Sequence, residues 1–138
     1  MGNQLQENIA ITNNVVMLLF QTTDIPDAAG TAKSLQATTD DYIMPFAGSV
    51  IGIGVVLNGA LSTGTVTFNP AINGTGNTTL GTAVLNGTQR NYASIQSRRI
   101  NFTAGQRVGV VWTKSGTVSP TTTDASIVLF VVLEGMDF

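Results

Sequence analysis

Apolar residues in this chain recur at alternate positions, in short blocks separated by Gly, Pro and Asn-Gly. The first block, Val15-Val16-Met17-Leu18-Leu19-Phe20, is apolar at every position and predicts a strand that needs cover on both sides. The block at 49–57 predicts the clearest strand, with Ile51, Ile53, Val55 and Leu57 on one face and Val50, Gly52, Gly54 and Val56 on the other. Two glycines on the same face predict another backbone or a large side chain lying close against it. Asn58-Gly59 carries a hairpin signal, and residues 63–68 alternate threonines outward with Val66 and Phe68 inward.

Further along, Asn73-Gly74 and Asn86-Gly87 bracket a predicted strand at 79–85, and residues 92–100 alternate Tyr92, Ser94 and Gln96 against Ala93, Ile95 and Ser97. Phe102-Thr103-Ala104-Gly105-Gln106 predicts a tight turn into a strand at 107–113. Val108, Val110 and Trp112 share a face there, with Trp112 as a core anchor. A Ser/Thr/Pro/Gly loop is expected at 114–123, a turn at Asp24-Ile25-Pro26-Asp27, and a short edge strand at 34–38. The last strand, 125–134, puts Ile127, Leu129, Val131 and Leu133 on one face and Val128, Phe130 and Val132 on the other. No helical period persists for ten residues. The expectation is an all-β fold, an antiparallel two-sheet β-sandwich of jelly-roll type over residues 14–138, preceded by a polar arm at 1–13.

A sandwich covers only one face of each strand. The second face of the first and last strands therefore needs a loop or another copy of the chain over it. Composition sharpens this expectation. Charged residues are 10% of the chain, against about 25% in an average globular protein. Surfaces so poor in charge are common where neighbouring subunits cover them, because lysine and glutamate are depleted at interface cores.

The 138 residues fit one domain able to bury a core without disulfides or metals. Cysteine and histidine are both absent, which removes the commonest transition-metal ligands, the usual base at neutral pH and the nucleophile–base pairs built from them. The carboxylates offer no pair for acid–base work: Asp124 and Glu134 flank opposite ends of one strand, roughly 30 Å apart when extended. Asp40-Asp41 lacks the regular oxygen spacing of a calcium loop. Gly76-Asn77-Thr78-Thr79-Leu80-Gly81 has the glycines of a phosphate loop, but Thr82-Ala83 stands where Lys and Ser/Thr are required. No enzyme chemistry and no cofactor are expected.

Arg98-Arg99, with Arg90 and Arg107, belongs to a chain of net charge −2 without a basic stripe, so nucleic acid is not an expected partner. Partners such as Asp40 and Asp41 are the simpler fate of these arginines. No apolar run approaches the roughly 20 residues that span a bilayer, and the amino terminus does not read as a secretory signal, so no membrane partner is expected.

Met44-Pro45-Phe46-Ala47-Gly48 leading into a glycine-punctuated strand, Phe102-Thr103-Ala104-Gly105-Gln106 leading into Val108-Gly109-Val110, and the apolar final strand carry a resemblance. Over residues 42–134 the chain resembles trimeric jelly-roll domains of the tumour-necrosis-factor and C1q type, more particularly their counterparts on bacteriophage particles. The resemblance implies a homotrimer, packed through Val15, Met17, Leu19, Val128, Phe130 and Val132. It also implies a virion location as a decoration or cement protein on the capsid surface. The partner would then be the major capsid protein or another shell protein, met by the arm through Gln4, Leu5, Gln6 and Ile9. Two other readings stand beside it. One is a carbohydrate- or receptor-binding knob using Tyr42, Tyr92 or Trp112, since sugar sites need an aromatic platform with polar groups around it. The other is a shell protein of cellular origin, which the same physics serves.

Overall fold

A computed structural model describes residues 15–23, 30–31, 33–34, 41–76, 83–94, 100–120 and 122–134. The described residues form two sheets and no helix, with every pairing antiparallel. With strands numbered along the chain, the first sheet holds β1 (Val15–Thr22), β3 (Lys33–Ser34), β5 (Gly48–Leu57), β9 (Arg90–Ser94), β10 (Ile100–Phe102) and β12 (Ala125–Leu133). Its order is β10-β5-β12-β1-β3, with β9 also paired to β5. The second sheet holds β2 (Gly30–Thr31), β4 (Asp41–Ile43), β6 (Thr63–Ile72), β7 (Thr75–Gly76), β8 (Ala83–Leu85) and β11 (Arg107–Ser119). Its order is β2-β11-β6-β7, with β4 on β11 and β8 on β6. The first strand lies beside the last while β5 and β6 fall in different sheets, as a jelly roll requires.

The period-two pattern accounts for the core. Leu18 and Phe20 of β1, Ile53, Val55 and Leu57 of β5, and Ile127, Leu129 and Val131 of β12 face inward. Opposite them lie Val66 and Phe68 of β6, Leu85 of β8, and Val108, Val110 and Trp112 of β11. Each fully buried side chain of this size contributes about 1.5–3 kcal/mol. Trp112 is 1% exposed and packs beside Phe68 with ring centroids 6.4 Å apart, the core anchor expected of it. Phe20 meets Tyr42 edge to face at 5.4 Å, and the Tyr42 hydroxyl donates to the Leu19 carbonyl at 3.0 Å, tying β4 to β1 across the sandwich.

Three local expectations are corrected. Asn58-Gly59 does not close a hairpin: β5 and β6 lie in different sheets, and Asn58 instead holds the approach to β12. Its N–H donates to the Asp124 carbonyl at 3.0 Å and its Oδ1 accepts from the Asp124 N–H at 3.1 Å. In β5, Gly52 pairs with Phe130 but Val50 pairs with Val131, so Ile51 is the extra residue of a bulge. The bulge turns Val50 into the core and leaves Ile51 half-buried, breaking the strict alternation. The loop expected at 114–123 begins later. β11 continues to Ser119, crossing a register shift between Ser115 and Ser119 that Gly116 accommodates at φ 75°.

Elsewhere the turn chemistry holds. Asn73-Gly74, both at positive φ (51° and 83°), joins Ile72 to its partner Thr75 in a hairpin. Pro70 lies within β6, where the pairing with β8 stops at Phe68 and that with β7 starts at Ala71, so no ladder bond is needed on that side. The arm at 1–13, the Asp24–Asp27 turn, residues 35–38, 79–82 and 95–99, and Arg98-Arg99 lie outside the described residues.

Candidate assembly surface

The outer face of the first sheet is built by the strands whose sequences are apolar on both sides. Antiparallel register sets Val15 opposite Val132, Met17 opposite Phe130 and Leu19 opposite Val128. The six outward residues singled out from sequence therefore form three directly opposed pairs on one surface. Inward neighbours Leu18 and Leu129 are buried, while Met17 is 61% exposed and Val15, Leu19 and Phe130 are exposed as well. Val128 and Val132 are half-buried.

The rows continue across β5 and β9. Leu19, Val128, Gly54 and Tyr92 stand in line across β1, β12, β5 and β9, and Met17 and Phe130 continue to Gly52. Without a side chain Gly54 leaves room for a cleft, while Gly52 is buried beneath Phe130. On one side Phe130 Cδ2 lies 3.5 Å from where a Gly52 Cβ would be, and Val128 Cγ1 lies 3.2 Å from that of Gly54. These are the large side chains that the paired glycines predicted. On the other side stands Tyr92, 78% exposed. The cleft has a volume of about 680 Å³, and its walls include Leu19, Val56, Arg90, Tyr92 and Val128.

Sequence reasoning placed the β1 and β12 residues and noted the bare face of β5. It did not connect Val56 and Tyr92 to the same surface, because β9 joins the sheet from 34 residues further along the chain and its register is not written in local pattern. The capsid-contact residues Gln4, Leu5, Gln6 and Ile9 lie outside the described residues.

Two buried polar atoms among the described residues, Asn69 Oδ1 and Trp112 Nε1, have no hydrogen-bond partner. Arg107 pairs with Asp41 at 3.1 Å, the kind of ion pair anticipated for the arginines. Among the described residues no three His, Cys, Asp or Glu side chains gather into a metal-sized group. Of the three rings considered for a sugar platform, Trp112 is interior and Tyr42 is committed to Phe20 and Leu19, leaving Tyr92.

No protein-family model matches the chain, and no curated protein matches it. Among solved structures, a chain of the cyanophage Pam1 capsid asymmetric unit aligns over 87% of this chain and 85% of its own length, with a TM-score of 0.50 at 14% identity. At that identity the likeness is one of fold.

Proposed function

We propose that this chain is a non-enzymatic virion protein of the decoration or cement type, a homotrimer that binds a phage head shell and stabilises it. The observation that carries the reading is the apolar outer face running over β1, β12, β5 and β9, which in a lone sandwich leaves Met17, Leu19, Phe130, Val56 and Tyr92 in water. Contiguous apolar faces of this kind mark interaction sites. The fold shared with a chain of a cyanophage capsid asymmetric unit supports the virion setting, and the lack of His and Cys supports a structural role. In this reading the trimer forms through the outer face, and residues 1–13, with Gln4, Leu5, Gln6 and Ile9, reach the major capsid protein or another shell protein.

Mixing the purified protein with undecorated shells tests the proposal. Saturable binding and a shell that survives greater heat are expected, with binding reduced when residues 1–13 are removed. Shells that take up no protein and gain no heat resistance contradict it. A second reading, a carbohydrate- or receptor-binding knob, draws on Tyr92 exposed beside Arg90 and Asn91. Glycan binding lost in Tyr92→Ala, with no shell binding, would favour it.

A further inference from the structure

Among the described residues nine large apolar side chains stand exposed, and they fall into two groups. Six of them, Val15, Met17, Leu19, Val56, Tyr92 and Phe130, belong to the outer face of the first sheet. The other three, Val16, Ile43 and Phe46, lie together at one end of the sandwich. Register identifies that end: Val15 pairs with Val132, Leu133 with Gly48 and Ile43 with Arg107, and residues 44–47 join β4 to β5 there. Val16 has the inward parity of Leu18 and Phe20 but is 37% exposed, as the last described inward position before the rim. The opposite end, where Thr22 meets Ala125 and Asn58 meets Asp124, exposes Asn58, Ser62, Thr63, Asn86 and Thr88 and, outside the sheet face, no large apolar side chain.

The segment that carries Phe46 is clamped. Met44 is buried, its N–H donates to the Gln106 carbonyl at 2.9 Å, and its own carbonyl accepts from the Gly105 N–H at 2.7 Å. The Ala47 carbonyl accepts from the Glu134 N–H at 2.7 Å. Between these anchors Pro45, with its fixed φ, and Phe46 face solvent, Phe46 at 44% exposure and nearby Ile43 at 69%. A ring held out on a clamped turn loses little freedom when it binds, as an anchor residue requires.

We propose that this end of the sandwich is where the chain meets the shell protein, with Phe46 entering an apolar socket on that protein and Ile43 packing beside it. The contact rests on the decoration reading above and adds the folded residues that touch the shell. Residues 1–14, which that reading sends to the shell, continue from Val15 at this same end. Fourteen extended residues reach roughly 50 Å, enough to pass either end, so the tether alone does not choose. The apolar side chains do, because only the end that the arm leaves carries them, and an arm already bound holds Phe46 at high effective concentration over the same surface. Charge narrows the partner further. Arg107 and Asp41 pair with each other at 3.1 Å and Glu134 is exposed, so the socket is uncharged where the ring enters and places no carboxylate opposite Glu134.

Affinity for undecorated shells is measured for the unmodified protein and three variants. Phe46→Ala is expected to weaken binding at least tenfold and Ile43→Thr to act in the same direction, both with native mass unchanged, while Thr88→Ala at the opposite end binds as the unmodified protein does. Hydroxyl-radical footprinting of the unmodified protein gives a readout that no variant's folding affects: Phe46 and Ile43 are labelled in the free protein and protected on shells. Unmodified protein that binds no shells overturns the decoration reading and this contact with it. Shell binding that both Phe46→Ala and Ile43→Thr retain in full, or Phe46 still labelled on the shell, overturns this contact alone. A loss in Thr88→Ala equal to that in Phe46→Ala overturns the choice of end. A native mass altered by Phe46→Ala puts the ring between copies of the chain and overturns the contact as well.

Discussion

Within β5, glycines that look alike in sequence meet different surroundings. A Cβ on Gly48 would collide with the Val132 carbonyl oxygen and come within 2.8 Å of Phe102 Cζ, where a paired backbone and a buried ring leave nowhere to move. A Cβ on Gly52 meets nothing nearer than 3.5 Å. Gly48→Ala is expected to destabilise the protein by about 1–3 kcal/mol, and Gly52→Ala to change it by less than about 1 kcal/mol. Urea unfolding at fixed protein concentration checks the pair, and equal losses would contradict the packing described. Legibility at this scale follows the chemistry of single side chains. Trp112 announced an interior position because a lone indole on an alternating strand has few other fates. The exposure of Tyr92 depended on a strand pairing that no neighbouring residue encodes.

At the scale of elements, period-two alternation located the long strands well, and turn chemistry was right where the turn was local. The two Asn-Gly pairs show the boundary. Asn73-Gly74 reverses the chain within one sheet and needs left-handed backbone at both residues. Asn58-Gly59 carries the chain between sheets, with Gly59 outside the left-handed region and open space around it. Gly74→Ala is expected to cost about 1–2 kcal/mol, whereas Gly59→Ala is expected to stabilise by about 0.4–1 kcal/mol through the unfolded chain. Thermal melts of the two variants read out the opposite signs, and a loss at Gly59 matching that at Gly74 would return the hairpin assignment. The bulge at Ile51 and the extension of β11 to Ser119 were not legible. Both are set by register against a distant partner strand, which local propensity does not fix.

For the whole molecule, the sequence carried the fold class and one half of the candidate surface. Strands apolar on both sides exceed what a two-layer sandwich can cover, and much of that excess lies on the outer face of the first sheet, with Ile43 and Phe46 exposed elsewhere. The other half, the cleft beside Tyr92, exists only once β9 lies against β5. On this face the pairs Val15–Val132, Met17–Phe130 and Leu19–Val128 meet outside the core. The most direct test is the mass of the unmodified protein under native conditions at micromolar concentration. A species of three times the 14.4 kDa chain is expected. A population of single chains, with Met17 and Phe130 accessible to solvent probes, would contradict it.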